Sequence, residues 1–134
     1  VERSKGKHLV LILARELAAN VATPMLIVDP DRILVYFNEP AEELLGETFA
    51  GTGEMSVSKW GATHEPHRLD GEPYPLEEFP LTAALREHRP STDSVRFTGG
   101  DGVKRTVTVA AYPLLANSNE FAGAVALFWP HEEA

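Results

Sequence analysis

A chain of 134 residues, 43% of them hydrophobic, is the size of one domain with enough apolar side chains for a core. Its 20 Asp plus Glu against 12 Lys plus Arg leave a formal net charge of -8, which argues against a nucleic-acid groove, because such a footprint needs a basic patch. Cysteine is absent, so structural disulfides, thiol chemistry and Cys-ligated zinc or iron–sulfur centres are excluded, and a cytoplasmic location fits.

The longest aliphatic run, at 9–14, is far shorter than the ~20 residues that cross a bilayer. No small-residue cleavage pattern follows it closely, so it is not read as a signal peptide. The chain opens on Val1 and reads as a fragment of a longer protein. Residues 7–20, KHLVLILARELAAN, hold good helix formers without Pro or Gly and predict an N-terminal amphipathic helix. Val10, Leu13 and Leu17 repeat at spacings of 3 and 4, Leu9 and Ile12 widen the stripe, and Asn20 and Pro24 end it.

Strands over 25–29 and 33–38 follow, joined by DPDR, where Asp29 and Pro30 suit the first two positions of a type I turn. Both runs are apolar on both faces, whereas a surface hairpin alternates apolar and polar. Both faces therefore need a cover. Asn38 is placed to cap a helix of about two turns, with Glu39, Glu42 and Glu43 near its start and Gly46 as its stop. Residues 46–76 carry five Gly and three Pro and predict short helical turns and loops. EEFPLTAALREH, at 77–88, reads as a second helix that tolerates Pro80 only in its first turn. Leu81, Ala84, Leu85 and His88 share one of its faces, and Arg86, His88 and Arg89 crowd its C-terminal end, where positive charge is favourable. DSVRFT and VKRTVTVAAYPL then flank the hairpin signal GGDG; NSNEFAG is a second turn region and AVALFW a closing strand. Strands gathered at both ends predict an α+β fold, an antiparallel sheet with the middle helices across one face. The other face falls to the N-terminal helix.

The ordered set ATPMLIVDPDRILVYFNEPAEELLG, DGEPYPLEEFPLTAAL, VRFTGGDGVKRTVTVAAYPL and GAVALF resembles a PAS domain. It spans roughly residues 21–129, and divides the chain into an N-terminal helix or linker (1–20), a PAS domain (21–130) and a tail (131–134). The resemblance implies a five-stranded antiparallel sheet cupping a small interior. It also implies a sensory or regulatory module without catalysis of its own, attached to the output domain of a larger signalling protein. Such modules take a small molecule, a haem or a flavin, or only a protein partner, and often pair through an N-terminal helix like 7–20. By the same resemblance Leu26, Val28, Val35 and Phe37 face the interior, and Met25, Ile27, Leu34 and Tyr36 face the N-terminal helix or a partner. Three departures limit it. Flavin-binding photosensors of the family carry an NCRFLQ-like segment where this chain has FAGTGEMSVSKWG, without Cys, so flavin–cysteinyl chemistry is impossible. Haem-binding members usually offer a His from the long helix, where this chain has only His88, at the last turn. The chain ends in WPHEEA where many members have a DIT-like junction. No cofactor is expected.

Other clusters carry blander readings. In HEPH, at 64–67, Pro66 blocks the helix that would put His64 and His67 on one face, so a solvated loop is read there, not a metal site. Asp70, Glu72, Glu77 and Glu78 face no nucleophile or base and read as a solvated acidic segment, not a catalytic one. Trp60 and Tyr74 lie in the irregular segment, which in the family forms part of the pocket wall; a loop Trp more often plugs a core than presents a ligand platform. Val107, Val109, Ala111, Val125 and Leu127 alternate so as to share the inner face of the sheet. Phe37, Trp60, Leu81, Leu85, Val109, Val125 and Leu127 are therefore the candidate contacts for a small, mostly apolar ligand. A filled core in their place would leave a pure interaction module. Val10, Leu13, Leu17, Ile27 and Tyr36 are the candidate contacts of a homodimer, because apolar residues surround the helix and docking one side leaves the other exposed. Neither nucleic acid nor insertion into a membrane enters this reading.

Overall fold

The computed structural model describes residues 2–117 and 120–131, with side chains from residue 9 onward. Helix α1 (Glu2–Ala19) leads into β1 (Met25–Val28) and β2 (Ile33–Phe37). Helices α2 (Glu39–Leu45) and α3 (Phe49–Thr52), the two-residue strand β3 (Met55–Ser56) and α4 (Val57–His64) follow. A 3-10 turn at Leu76–Glu78 precedes α5 (Pro80–Glu87), and β4 (Ser91–Thr98), β5 (Lys104–Leu115) and β6 (Phe121–Pro130) complete the described chain. The strands form one antiparallel sheet in the order β3-β2-β1-β6-β5-β4, five strands of PAS type with β3 as a short added edge. None of the described helices is long and apolar enough to cross a membrane. The tail expected at 131–134 lies, beyond His131, outside the described residues, as do 118–119 within NSNEFAG.

Local chemistry fixes the first hairpin and its exit. The Arg32 N–H donates to the Asp29 carbonyl at 3.1 Å, and Asp29 Oδ1 accepts from the Asp31 and Ile33 N–H groups at 2.9 and 3.0 Å. Asn38 caps α2 by accepting from the Ala41 N–H, Pro40 stands in the first turn, and Gly46 ends the helix at φ 71. The second long helix begins at Pro80, with the 3-10 turn standing where its first turn was expected.

The hairpin departs from strict alternation. Ile27 pairs with Tyr36 and Val28 with Leu34, so Val35 is the extra residue of a β-bulge. The bulge reverses two expected directions: Leu34 joins Leu26, Val28 and Phe37 in the inner core, while Val35 packs with Met25, Ile27 and Tyr36 on the outer face. A one-residue offset moves every side chain beyond it to the opposite face, which is the physical cause of both errors.

The closing strand runs in the opposite phase to the one expected. Val109 pairs with Phe128 and Ala111 with Ala126, and directly paired residues share a face. Ala124, Ala126 and Phe128 therefore face inward, and Val125 and Leu127 stand on the outer face. Helix α5 crosses β5 and β6, and Ala111, Ala124 and Ala126 leave room for it. Outside, α1 packs on β1 and β6, so the larger Val125 and Leu127 are useful there. β6 also starts earlier than the sequence suggests, at Phe121. It passes so close to the end of β1 that a Cβ on Gly123, at φ 130, would run into the Val28 carbonyl oxygen.

The docked stripe of α1 is Leu11, Ala14 and Ala18. Leu13 and Leu17, candidates for a dimer contact, are exposed, and Val10 is half-buried. Ile27 is completely buried beneath α1, so no second chain reaches it, which corrects its place in the dimer set. Tyr36 is half-buried, with the Arg15 guanidinium 4.7 Å above its ring.

Candidate functional site

Between the inner face of the sheet and the middle helices lies a cavity of about 30 Å³. Its floor is Leu26, Leu34, Val95, Phe97, Val107, Val109, Ala126 and Phe128 from the sheet; its roof is Leu45 of α2, Val57 and Trp60 of α4, and Phe79 and Leu81 at the start of α5. Every lining side chain is hydrocarbon apart from the Trp60 indole. Alternation along β4, β5 and β6 delivers the floor, and the caps of α2 and α4 set the roof. Ser56 caps α4 by accepting from the Lys59 N–H at 3.1 Å, which places Val57 in the first turn and Trp60 one turn later, both turned inward. Trp60 thus stands on a helix, not in a loop. Its ring lies 4.7 Å from that of His64, 5.8 Å from that of Phe79 and 6.2 Å from that of Phe97. Its Nε1 is buried without a hydrogen-bond acceptor, as is Thr82 Oγ1 on α5.

Of the candidate ligand contacts, Trp60, Leu81 and Val109 line the cavity. Phe37 and Leu85 belong to the same core, 1% and 6% exposed, without lining it. Val125 and Leu127 lie on the far side of the sheet. Leu26, Leu34, Leu45, Val57, Phe79, Val95, Phe97, Val107, Ala126 and Phe128 complete the wall and were not singled out as contacts by the sequence. For β6 the missing signal is the register: once Val109 is opposite Phe128, the inward set of that strand follows.

The HEPH segment divides. His64 is turned into the protein, not into solvent, at the last turn of α4 and is 1% exposed. His67 is half-buried; its backbone exchanges hydrogen bonds with Arg96 at 2.7 and 2.9 Å, and its Nδ1 lies 2.6 Å from the Glu65 carbonyl oxygen. Among the described residues no three His, Asp or Glu come together as metal ligands. His88 does not share the buried face of Leu81, Ala84 and Leu85. It ends α5 at φ 55, exposed, and stacks on Phe121 at 4.0 Å between ring centroids. The acidic segment is exposed, with Glu77 paired to Arg32 and Arg86 and Glu78 to Arg68. Tyr74 braces the segment against β4: its hydroxyl donates to Asp93 Oδ2 at 2.6 Å, and the Arg68 guanidinium lies 4.3 Å above its ring. Burial, with the Asp93 carboxylate beside it, pushes the phenol well above its usual range. At the hairpin, Arg105 clasps Asp101 at 2.7 and 2.9 Å and holds that carboxyl below the usual carboxylate range.

No protein-family model matches the sequence, and no curated protein sequence matches it. Solved structures do. The chain is similar to the PAS domain of a protein from Colwellia psychrerythraea, at 13% identity and a TM-score of 0.63, over 91% of this chain and 97% of that one. It is similar to the PAS domain of nitrogen regulation protein NR(II) from Vibrio parahaemolyticus, at 22% identity and a TM-score of 0.59, over 89% of this chain and 98% of that one. A LOV protein from Rhodobacter sphaeroides superposes with a TM-score of 0.70 at 12% identity, over 95% of this chain and 68% of that one. Lacking cysteine, this chain cannot form a flavin–cysteinyl adduct. At these identities the likeness speaks to architecture, and the architecture is plain: the chain has the PAS fold.

Proposed function

We propose that the chain is a non-catalytic sensory or regulatory module of a larger signalling protein, and that it binds a small, compact, apolar molecule in the cavity between the sheet and α4. The hydrocarbon-lined cavity carries this reading. A wall with no charged side chain rewards burial of apolar surface and penalises a charged ligand, which would find no partner. Closed, the cavity is about large enough for a water, yet a water wants two to four polar partners, which this wall does not supply. A ligand therefore enters by displacing the roof, and displacement of the roof is the signal; a ligand with equal affinity for both arrangements would shift nothing.

Native mass spectrometry of protein purified from cells tests the reading. A retained small neutral molecule, lost when Val109→Phe fills the floor, is the expected result. Protein that is ligand-free, and that Val109→Phe stabilises without other effect, favours a second reading: an interaction module with a filled core. The apolar stripe of Leu9, Ile12, Leu13 and Leu17 on α1, each 55–59% exposed, supports that role and suits a second copy of the chain.

A further inference from the structure

His64 is buried against two hydrogen-bond acceptors. Nδ1 stands 2.7 Å from the Thr98 carbonyl oxygen and Nε2 stands 2.7 Å from Glu47 Oε1. A carbonyl oxygen only accepts, so Nδ1 carries hydrogen. The second bond then needs a further proton, on Nε2 or on the Glu47 carboxyl, because a bare imidazole nitrogen and a carboxylate both accept. With both bonds made, the pair holds one proton more than a neutral imidazole beside a carboxylate.

We propose that His64 and Glu47 form a buried proton-binding site, and that this proton latches α4 over the apolar cavity. The ring ties three pieces of chain together: the end of α4, the end of β4 at Thr98, and the link between α2 and α3 that carries Glu47. Helix α4 supplies Val57 and Trp60 to the cavity roof, and the Trp60 ring lies against the imidazole. Fixing His64 fixes that roof. When rising pH removes the proton, the Nε2 lone pair faces a carboxylate and the bond becomes a repulsion. The latch is closed in acid and open in alkali.

The surrounding charges leave the shared proton to this pair. On the β4–β5 hairpin, Asp101 and Arg105 are bonded to each other, and Arg96 and Lys104 are exposed. On α2, Glu42 Oε2 accepts from the Phe49 N–H at 2.8 Å. Lys59 on α4 and Glu65 just after it are exposed. The Glu47 side chain also lies against Gly100, where a Cβ would come within 2.8 Å of Oε2, so the hairpin backs the carboxylate as well as the ring.

The inference rests on the sensory reading only in naming the cavity as what the latch closes. Trp129→Phe leaves Trp60 as the one tryptophan of the chain. In that ligand-free protein, Trp60 emission and the ring ¹⁵N shifts of His64 are followed from about pH 5 to about pH 10. The expected result is loss of one proton from the pair in a single step of the ring ¹⁵N shifts, with the Trp60 emission moving to the red in that same step. Added Glu47→Gln should abolish the emission change, since a carboxamide donates to an unprotonated Nε2 and keeps the latch shut at every pH. Two results would overturn the proposal: His64 shifts and Trp60 emission that move independently or not at all, or a Glu47→Gln protein that keeps the full transition. If Glu47→Gln does not fold, the coupled titration of the Trp129→Phe protein decides alone. A cavity that never yields a ligand would sink the sensory reading and leave the latch standing; a retained ligand beside a flat titration would do the reverse.

Discussion

One carboxamide holds four backbone groups where α1, β1 and α2 meet. Asn38 Oδ1 accepts from the Met25 and Ala41 N–H groups at 3.0 and 3.1 Å, and its Nδ2 donates to the Ala18 and Thr23 carbonyls, both at 2.9 Å. Every donor and acceptor of the side chain is used, and the residue is 1% exposed. Asn38→Ala leaves four groups without their partner, some of them reachable by water, and should cost about 2–4 kcal/mol of unfolding free energy in urea. A loss below about 1 kcal/mol would show that the junction does not depend on it. Tyr74 offers a pH-dependent counterpart. Its phenol is pushed up in the folded protein by burial and by Asp93, whereas in the unfolded chain it ionises near about pH 10. The folded state thus keeps a proton that the unfolded state gives up. The contribution is intact below the unfolded pKa and is lost as pH rises beyond it. Tyr74→Phe should therefore narrow its stability deficit against the wild type between about pH 9 and pH 11, and equal slopes for the two proteins would refute the assignment.

Helices and caps were legible in the sequence because their signals are local. Asn38, Pro40 and Gly46 mark α2 within nine residues, and the DPDR turn needs nothing beyond its own side chains. Strand faces were placed correctly where alternation ran unbroken, as for Met25–Val28 in β1 and Val107–Ala111 in β5. β2 contains a bulge at Val35 that no residue type announces, so Leu34 and Val35 exchange faces relative to the reading. β6 is apolar on both faces, and alternation alone does not choose between Val125 with Leu127 and Ala124 with Ala126. What decides the matter is non-local: the register with β5, the crossing of α5 on one side and the docking of α1 on the other. His64 is a miss of another kind: the Ser56 cap that starts α4 is a local signal, passed over when 46–76 is read as short turns and loops. Helix α5 supplies the prediction at this scale, because neighbouring residues on it meet different surroundings. Leu85 is packed in the core away from the cavity, so Leu85→Ala should cost roughly 2–5 kcal/mol and leave ligand retention unchanged. Leu81 lines the cavity, and Leu81→Ala should cost less and change retention instead. Unfolding free energies and native mass spectra of both variants separate the cases; identical behaviour would mean that the cavity wall is drawn wrongly.

For the whole molecule, the exposed stripe of α1 calls for a cover. Its docked stripe leaves Leu9, Ile12, Leu13 and Leu17 exposed by 55–59%, spaced 3, 1 and 4 apart along one side. Burying one such side chain is worth roughly 1.5–3 kcal/mol, whereas bringing two chains together costs about 4–15 kcal/mol. The exposed part of four side chains from each of two chains returns on the order of 7–14 kcal/mol, the same size as that cost, and a symmetric pair lets the same stripe serve both partners. Electrostatics oppose the pairing, since each chain carries a formal charge of -8 and the two repel. Salt screens such repulsion over about 8–10 Å at moderate ionic strength, so the dimer should tighten as salt is added, the reverse of an interface held by ion pairs. Sedimentation equilibrium at low and high salt reads both the stoichiometry and the direction of the shift. Leu13→Asp with Leu17→Asp should give a folded monomer, because both side chains already lie outside the packed cluster under α1. A monomer in the unmodified chain at high micromolar concentration and high salt would remove the second copy as the cover and leave that stripe to a neighbouring domain.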